Sequence, residues 1–418
     1  MRIKSLLRSK FFKNSFLYTL GSMMTPMIGF IMLPIYTSHL SPAEYGVMTT
    51  IQTLVGMLQL FLLLSLHGAV TRFYYDYSDD PHKLKAYLGS IFNFTLIFST
   101  GIVALLLLFD DIITSILFKQ IPKSPYYYYL LAISWCSALF ALPMALYRAQ
   151  EKAGTFVLIN AIKAFAIMGL TIYLLIIQGF GAESALISQA VVTFIVVLIT
   201  YGKQLKYFSF SLNHDLVKQS LMFSLPLLPH VASGWIINSS DRVILEKFIP
   251  IADLGVYALA VQVSMILSLF YSSVNNALVP RYTKLRKDGL EEQATKLLRV
   301  FLYIVIFFGL LSIPVAITAV QLLASEVYQQ ANILIPFLLI AQIIKGIYFI
   351  PTAKLFYIKK TKSIATSSVI AALCNIIINI IMIPIIGVYG AVLSTITAEV
   401  IRILLLYRAS KEKIQVHY

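Results

Sequence analysis

Long apolar runs separated by short polar connections make up almost the whole chain. A helix that crosses a bilayer needs about twenty mostly apolar residues. We therefore predict about twelve transmembrane helices, at residues 14–37, 44–70, 84–108, 126–147, 155–178, 183–202, 219–247, 253–279, 296–320, 329–353, 364–385 and 388–408. The connections between them are short, and none is long enough to hold a soluble catalytic domain.

The overall composition agrees with a surface that faces lipid. The chain has 418 residues, of which 59% are hydrophobic and 12% are charged, and its mean hydropathy is +0.83. A soluble protein carries roughly 25% charged residues, so this chain has too few charges to coat a water-soluble globule. The two cysteines, Cys136 and Cys374, lie inside apolar runs and have no metal-ligand spacing, which favours buried thiols over a metal site.

The positive charge of the chain is distributed in a way that predicts its topology. The net charge is +15, but the basic residues form short clusters between apolar runs, which argues against nucleic-acid binding. Cytoplasmic connections are rich in Lys and Arg. If the N-terminus is cytoplasmic, the outer connections contain only Lys119, Lys123 and Lys247 of the 33 Lys and Arg. We therefore predict that both termini are cytoplasmic.

The sequence also repeats itself. Residues 43–47 (AEYGV) match residues 252–256 (ADLGV) at an offset of 209, and Arg72 matches Arg281 at the same offset. This offset is half of the chain length and predicts a duplication. We expect two six-helix bundles, residues 1–210 and 211–418. Because six helices return the chain to its starting side, the copies are parallel repeats, an arrangement found in transporters.

Several short segments resemble bacterial polysaccharide flippases of the multidrug/oligosaccharidyl-lipid/polysaccharide exporter superfamily. These segments are residues 33–37 (LPIYT), 40–46 (LSPAEYG), 239–245 (SSDRVIL), 254–258 (LGVYA) and 280–282 (PRY). The resemblance extends over the whole chain in helix count, connection length and repeat. It implies an all-α polytopic membrane protein with two six-helix bundles around a central cavity that opens alternately to each side.

The resemblance also implies a function and a location. The expected substrate is undecaprenyl diphosphate that carries an oligosaccharide repeat unit of O-antigen lipopolysaccharide or capsule. The flippase would move it from the cytoplasmic to the outer leaflet of the bacterial inner membrane. Besides membrane lipid, the candidate partners are a polysaccharide polymerase and chain-length proteins. The sequence has no P-loop, so we expect no cofactor and no enzyme activity, with energy from Na+, H+, the membrane potential or downhill substrate flow.

Basic residues inside predicted helices are candidates for binding the diphosphate. Lys163 and Lys345 lie within apolar spans, where an unpaired charge costs a few kcal/mol or more. The alternative is that both snorkel toward the cytoplasmic interface. Arg242 offers a planar fork that suits phosphate, and Asp241 either orients it or binds another helix. The alternative for this pair is a structural anchor at the interface.

Three further groups of residues have two interpretations each. Arg72 and Arg281, at the predicted inner ends of helices two and eight, either meet the diphosphate or anchor the protein. Glu399 and Arg402 are three residues apart and can form a structural pair, with Glu399 as a proton or sodium site in the alternative. Two prolines lie in the first predicted helix of each half, Pro26 and Pro34 in the first half and Pro226 and Pro229 in the second. Their kinks suit a gate but are equally compatible with static bends.

Other functions compete with the flippase interpretation. A multidrug/cation antiporter of the same superfamily would favour an acidic cavity, whereas the deep charges here are mainly basic. A membrane polymerase or glycosyltransferase that uses lipid-linked sugars would need a long outer loop with catalytic groups. The longest predicted outer connection, residues 110–125, is too short to form a domain. An assembly scaffold remains a third alternative.

Overall fold

The computed structural model describes residues 10–210 and 212–411, except for the side chains of residues 10–16 and of Thr25. The described part consists of helices and connections and contains no strand. Eleven of its helical segments are long and apolar enough to cross a membrane. Many of their apolar side chains are exposed, as in Leu108 (76%) and Leu322 (77%). The prediction of an all-α polytopic membrane protein is confirmed.

Nine α-helices precede residue 210 in the part of the chain that the structure describes. They are α1 (Lys10–Ile31), α2 (Leu33–His39), α3 (Pro42–Leu63), α4 (Leu66–Tyr77), α5 (Pro81–Leu108), α6 (Asp110–Leu117), α7 (Tyr126–Ala149), α8 (Ala153–Ile172) and α9 (Glu183–Gln204). A π-helical turn, Tyr173–Ile177, extends α8, and a 3-10 turn, Leu205–Tyr207, extends α9. The first predicted membrane helix corresponds to α1 and α2 together.

Eight more α-helices follow in the second half of the described chain. They are α10 (His214–Ser224), α11 (Leu228–Phe248), α12 (Ile251–Lys287), α13 (Glu291–Leu323), α14 (Ala331–Ile347), α15 (Phe349–Tyr357), α16 (Thr361–Ile386) and α17 (Val388–Lys411). A 3-10 turn, Leu225–Leu227, joins α10 to α11. The basic N-terminal residues Arg2, Lys4 and Arg8, on which part of the topology prediction depends, lie outside the described residues.

One predicted helix is interrupted where the sequence contains no proline or glycine. The span predicted at residues 44–70 divides into α3 and α4 at Leu64 and Ser65, whose φ angles are 49° and 57°. A non-glycine residue in this left-handed region costs roughly 1–2 kcal/mol. The flanking Leu63 and Leu66 are buried in the same apolar cluster, so packing on both sides stabilises the break.

Three of the four predicted kink prolines lie at helix starts or in turns. Pro34 and Pro229 are the second residues of α2 and α11, and Pro226 lies in the 3-10 turn. The backbone N–H groups in the first turn of a helix have no intrahelical partner, so a proline, which lacks an N–H, loses no hydrogen bond there. Pro26 instead lies inside α1, which continues past it. The role of these residues in gating stays a prediction.

The chain divides into two compact units. The first contains the described residues up to His39 together with Val47–Val231, and the second contains Leu40–Gly46 together with the described residues from Ala232 onward. The chain therefore passes between units three times, between α2 and α3, inside α3 and inside α11. The predicted repeat boundary at residues 210/211 stays a proposal about the duplication.

The two copies of the repeated motif meet in the second unit. Gly46, at the start of α3, approaches Gly255, at the start of α12, so closely that a Cβ on Gly255 would lie 3.0 Å from the Gly46 nitrogen. Nearby, the Tyr45 hydroxyl donates a 2.7 Å hydrogen bond to Gln262 Oε1. Only glycine permits this approach of the two helix starts, which explains why both copies of the motif have glycine at this position.

The predicted outer connection at residues 110–125 contains a short helix, α6. Lys123 Nζ bonds to Asp110 Oδ2 at 2.7 Å and to Asp111 Oδ1 at 2.6 Å. The hydrogen bond from Lys123 lowers the pKa of Asp110 from its ordinary value. These contacts tie the start of α6 to the chain just before α7.

Candidate functional site

Lys345 lies near the middle of a membrane-spanning segment and bonds to an uncharged side chain. Its Nζ donates a 2.7 Å hydrogen bond to Asn238 Oδ1 on α11. The Asn238 amide nitrogen donates in turn to the Gly234 carbonyl oxygen at 2.5 Å. This second bond fixes the orientation of the amide, because the reversed amide would place two acceptors together and two donors together. The amide oxygen therefore faces the lysine.

Arg242 contacts the same asparagine from one helical turn away. Its Nη2 atom donates to the Asn238 backbone carbonyl oxygen at 3.3 Å. Asn238 thus accepts a hydrogen bond from each of two cations, Lys345 through its side chain and Arg242 through its backbone. The structure brings together two of the basic residues that the sequence predicts for diphosphate binding.

Asp241 is engaged by groups other than the Arg242 guanidinium. Its Oδ1 accepts a 2.8 Å hydrogen bond from the Arg242 backbone nitrogen, and its Oδ2 accepts from the Tyr257 hydroxyl on α12. The side chain is 5% exposed. Asp241 therefore ties α11 to α12, which is the interpretation in which it binds another helix.

Glu399 and Arg402 meet on one face of α17. Arg402 Nη1 lies 3.4 Å from Glu399 Oε1, and Arg402 Nε donates a 3.2 Å hydrogen bond to Ser368 on α16. The guanidinium also lies 3.8 Å from the ring centroid of Tyr348, between α14 and α15. Both charged side chains are buried. These contacts agree with a structural pair that joins three helical segments.

Asp241 and Glu399 are therefore engaged by other groups, while Lys345 is held by an amide. Glu399 and Arg402 act on Lys345 electrostatically. Within the part of the chain that the structure describes, however, no carboxylate oxygen lies at salt-bridge distance from Lys345 Nζ. With Glu246, which is buried on α11 one turn after Arg242, the three cations Lys345, Arg242 and Arg402 are matched by three carboxylates. Lys345 is bonded to an uncharged partner, and an anionic group is a natural complement to such a cation.

A second polar cluster lies on α11, α16 and α17. Its members are joined by hydrogen bonds from Ser240 to Asn375 (3.2 Å), from Asn379 to Asn375 (3.1 Å), from Asn375 to Ser394 (3.3 Å) and from Ser394 to Asn379 (2.5 Å). All four side chains are buried. The cluster was not predicted, although Asn375 and Asn379 one turn apart in an apolar span are the signal that could have indicated it.

In the first unit the cations contact aromatic rings. Lys163 Nζ lies 4.1 Å from the ring centroid of Phe140, and the Arg148 guanidinium lies 5.7 Å from that of Phe156. Cation–π contacts contribute about 0.5–2 kcal/mol and leave the charge of the cation in place. Among the described residues, no carboxylate forms a salt bridge with Lys163.

The matched arginines lie outside the Asn238 region. Arg72 is exposed on α4 and forms a 2.7 Å salt bridge with Asp76 one turn later. Arg281 is exposed on α12, about 36 Å along the helix from Tyr257 at the α-helical rise. Sequence analysis therefore missed Asn238 and Phe140, the neutral groups that contact the deep cations Lys345 and Lys163. Asn238 lies four residues before Arg242, and this spacing was the available signal.

A comparison with known protein families decides the classification. The profile of the family described as "Polysaccharide biosynthesis protein" matches residues 11–286. The chain belongs to this family. A relative in Haemophilus influenzae, an Lsg locus protein, is 23% identical over 380 residues, which cover 87% of this chain and 89% of the relative. A second relative is the capsular polysaccharide biosynthesis protein CapF of Staphylococcus aureus, 24% identical over 216 residues, or 48% of this chain and 53% of CapF.

Solved structures of two transporter classes share the fold of this member of the polysaccharide biosynthesis family. The lipid II flippase MurJ in an inward closed conformation matches with a TM-score of 0.76 at 17% identity, covering 95% of this chain and 87% of MurJ. An inward-facing multidrug resistance MATE transporter of the MOP superfamily matches with a TM-score of 0.71 at 15% identity, covering 94% of each chain. The predicted resemblance to this superfamily is confirmed. Family and fold together describe a polysaccharide biosynthesis protein that crosses the membrane several times.

Proposed function

We propose that this protein is a flippase for undecaprenyl-diphosphate-linked oligosaccharide repeat units. It would move them from the cytoplasmic to the outer leaflet of the bacterial inner membrane by alternating access, for O-antigen or capsule synthesis. Membership of the polysaccharide biosynthesis family and the MurJ-like fold support a substrate of this class. The step involves no covalent chemistry, because the sugar, the diphosphate and the lipid all leave the protein unchanged.

The contact between Lys345 and Asn238 is the observation that carries this proposal. A lysine at membrane depth costs a few kcal/mol unless it has a partner or faces water. Here the partner is a neutral amide oxygen at 2.7 Å, so the positive charge stays available. A diphosphate that enters the membrane loses part of its hydration, and charge-assisted hydrogen bonds from fixed cations compensate that loss.

We assign the predicted residues to graded roles in diphosphate binding. Lys345 and Arg242, which share Asn238, are the principal contacts, and Lys163, which is held by an aromatic ring, is a further one. Arg281 is an entrance contact with a smaller effect. The salt bridge from Arg72 to Asp76 favours an anchoring role for Arg72.

The rival functions are less well supported by the same contacts. A cation antiporter needs a carboxylate that is available to a cationic drug, whereas Asp241 accepts from Tyr257 and Glu399 lies beside Arg402. A polymerase or glycosyltransferase needs catalytic groups on an outer loop. The connection before α7 has its two carboxylates, Asp110 and Asp111, bonded to Lys123.

Depletion of the protein in its own host tests the proposal. We expect complete, unpolymerised lipid-linked repeat units to accumulate while surface polysaccharide is lost. The repeat units should resist a glycosidase added to intact cells and become sensitive once the cells are broken. Re-expression of the chain is the control and should restore the surface polymer. If the repeat units themselves disappear, the protein acts in their synthesis and the flippase proposal is wrong.

A further inference from the structure

A cavity of about 300 Å³ lies at one end of the second unit, where three connections meet. They are the connection from α11 to α12, the one that precedes α14, and the one from α16 to α17. In the predicted topology all three are on the outer side of the membrane. Known ligand sites begin at roughly 300 Å³, so the cavity has room for one small ligand.

Three polar side chains line this cavity and have no partner within the protein. They are Asp253 in the first turn of α12, Gln330 directly before α14, and Tyr389 in the first turn of α17. Within the part of the chain that the structure describes, none of these side chains forms a hydrogen bond or an ion pair. All three are exposed, so a ligand in the cavity can reach them.

The repeated motif shows why Asp253 is uncommitted. Its match in the first copy is Glu44, whose Oε2 accepts from the Ser41 hydroxyl at 2.8 Å and from the Ser41 backbone nitrogen at 2.9 Å. These bonds cap α3. The residue before α12 is Pro250, which makes no side-chain cap and has neither a hydroxyl nor an N–H. Asp253 therefore does not cap its own helix.

The remaining lining of the cavity is apolar. It includes Val256 of α12 and Ile333 and Leu334 of α14. The Tyr389 ring packs edge-to-face against Phe337, with 6.5 Å between the ring centroids, and this contact restricts its movement. An apolar wall with an aromatic ring and a few available polar groups suits a ligand that has both apolar and polar faces.

We infer that this cavity binds one sugar unit of the glycan on the outer side of the membrane. A sugar ring has hydroxyl groups around its edge and C–H groups on its faces. Asp253 can accept hydrogen bonds from the hydroxyls, the Gln330 amide can donate and accept, and the Tyr389 ring can cover a C–H face. The inference rests on the proposed function, because it assigns a subsite for the glycan of that substrate.

The carboxylate of Asp253 also restricts the kind of sugar. Like charges repel each other at short distance, so a uronic acid is disfavoured beside this carboxylate. A neutral sugar presents hydroxyl donors, and an amino sugar adds a cationic donor that pairs with the carboxylate. The site is therefore assigned to a neutral or amino sugar.

Binding of the free glycan to the purified full-length protein tests this inference. The probe is the oligosaccharide that mild acid releases from the lipid-linked repeat units of the host, which carries neither lipid nor diphosphate. We expect Asp253→Asn to weaken its binding at least about tenfold, because a hydrogen bond to a charged group is lost. Thermal unfolding of the variant should stay close to that of the wild type, since Asp253 is exposed. Wild-type affinity in Asp253→Asn would contradict the inference.

A matched substitution controls for the loss of a surface carboxylate. Glu326→Gln makes the same change from acid to amide in the same unit, four residues before Gln330, at an exposed side chain that does not line the cavity. Its affinity for the oligosaccharide should equal that of the wild type. Equal weakening by Glu326→Gln and Asp253→Asn would mean that the effect is general and that the inference is wrong.

The aromatic ring provides a second test that does not depend on charge. Tyr389→Phe keeps the ring, whereas Tyr389→Leu keeps only apolar bulk. We expect Tyr389→Leu to weaken binding of the oligosaccharide several-fold more than Tyr389→Phe does, with thermal unfolding as the check on folding. Equal affinities of the two variants would contradict the contact between ring and sugar, and with it the assignment to a sugar.

Failure of the inference can be distinguished from failure of the proposed function. If depletion causes lipid-linked repeat units to accumulate but the wild-type protein does not bind the oligosaccharide at millimolar concentration, the proposed function stands and the sugar site is wrong. If the oligosaccharide binds with the expected dependence on Asp253 but depletion removes the repeat units themselves, the sugar site stands and the flippase proposal is wrong.

Discussion

Lys345 donates a 2.7 Å hydrogen bond to the amide oxygen of Asn238, an uncharged partner on a different helix. Lys163 in the first unit is likewise held by an uncharged group, the ring of Phe140. Both partners stabilise a cation at membrane depth without neutralising it. By contrast, Arg402 has Glu399 as an ionic partner. This difference separates cations suited to binding an anion from a cation that holds helices together.

Removal of the deep cations should reduce export of polysaccharide. We expect Lys345→Ala and Arg242→Ala each to lower surface polymer strongly at normal protein abundance, and Lys163→Ala to have a milder effect. Lys345→Arg should restore more activity than Arg242→Lys, because lysine keeps the charge of arginine but not its planar fork. Surface polysaccharide per cell, corrected for the amount of protein in the membrane, is the measurement.

The same series of variants can also contradict the assignment of these cations to substrate binding. Wild-type export by all three alanine variants at normal abundance would mean that the charges are anchors, as the snorkelling interpretation holds. A loss that follows protein abundance would indicate misfolding through broken contacts such as that between Arg242 and Asn238.

The sequence predicted the membrane spans well because their physical cause is local. Each span needs about twenty apolar residues, and that property can be read from composition alone, as for the span that became α5. The repeated motif was equally visible in the sequence, and the close contact of Gly46 with Gly255 requires a small residue in both copies of it. The duplication of the whole chain stays a prediction. The contact itself could not be predicted, because it depends on how two distant segments pack.

The charged residues of the site could be predicted from the sequence, but the residues that they contact could not. Lys345 and Arg242 stand out as charges in apolar surroundings, whereas Asn238 is one of several polar residues in its helix. Its importance comes from a contact across helices, which no periodicity reveals. The break at Leu64 and Ser65 was missed for a similar reason, since tertiary packing there stabilises a backbone conformation that the residues themselves disfavour.

The Glu399 and Arg402 pair should be important for stability. Glu399→Gln leaves a buried guanidinium without its carboxylate, which costs about 3 kcal/mol by analogy with other buried pairs. The double variant Glu399→Gln/Arg402→Met should recover much of this loss because neither charge remains. Thermal unfolding in detergent measures both variants. A Glu399→Gln protein that is fully stable but does not transport would contradict the structural interpretation and favour Glu399 as an ion site.

The close packing of Gly346 should limit where Lys345 can lie. A Cβ at Gly346 would lie 2.8 Å from both the Tyr271 ring and a Val305 methyl group, and the Tyr271 hydroxyl is itself bonded to the Val305 carbonyl oxygen. We expect Gly346→Ala to cost about 1–3 kcal/mol and to reduce export by displacing α14. Gly169→Ala, at a helical glycine with open space around it, is the control. Equal behaviour of the two variants in thermal unfolding would contradict this account.

The predicted topology can be tested by labelling of single cysteines. In a variant without Cys136 and Cys374, single cysteines at Ser41, Ser124 and Ser325 should react with a membrane-impermeant thiol reagent added to intact cells. A cysteine at Ser410 should react only after the cells are opened, because basic segments stay on the cytoplasmic side. The opposite pattern of labelling would overturn the orientation of both halves.

Transport by the purified protein is the most direct test of the central claim. Proteoliposomes would contain an undecaprenyl-diphosphate-linked oligosaccharide, and a lectin added outside would measure the fraction of sugar exposed on the outer leaflet over time. We predict that the wild-type protein raises this fraction above that of protein-free vesicles, and that the Lys345→Ala variant leaves it near the protein-free value. An unchanged fraction with the wild-type protein, or an equal rise with Lys345→Ala, would contradict a flippase whose substrate is held by an un-neutralised cation.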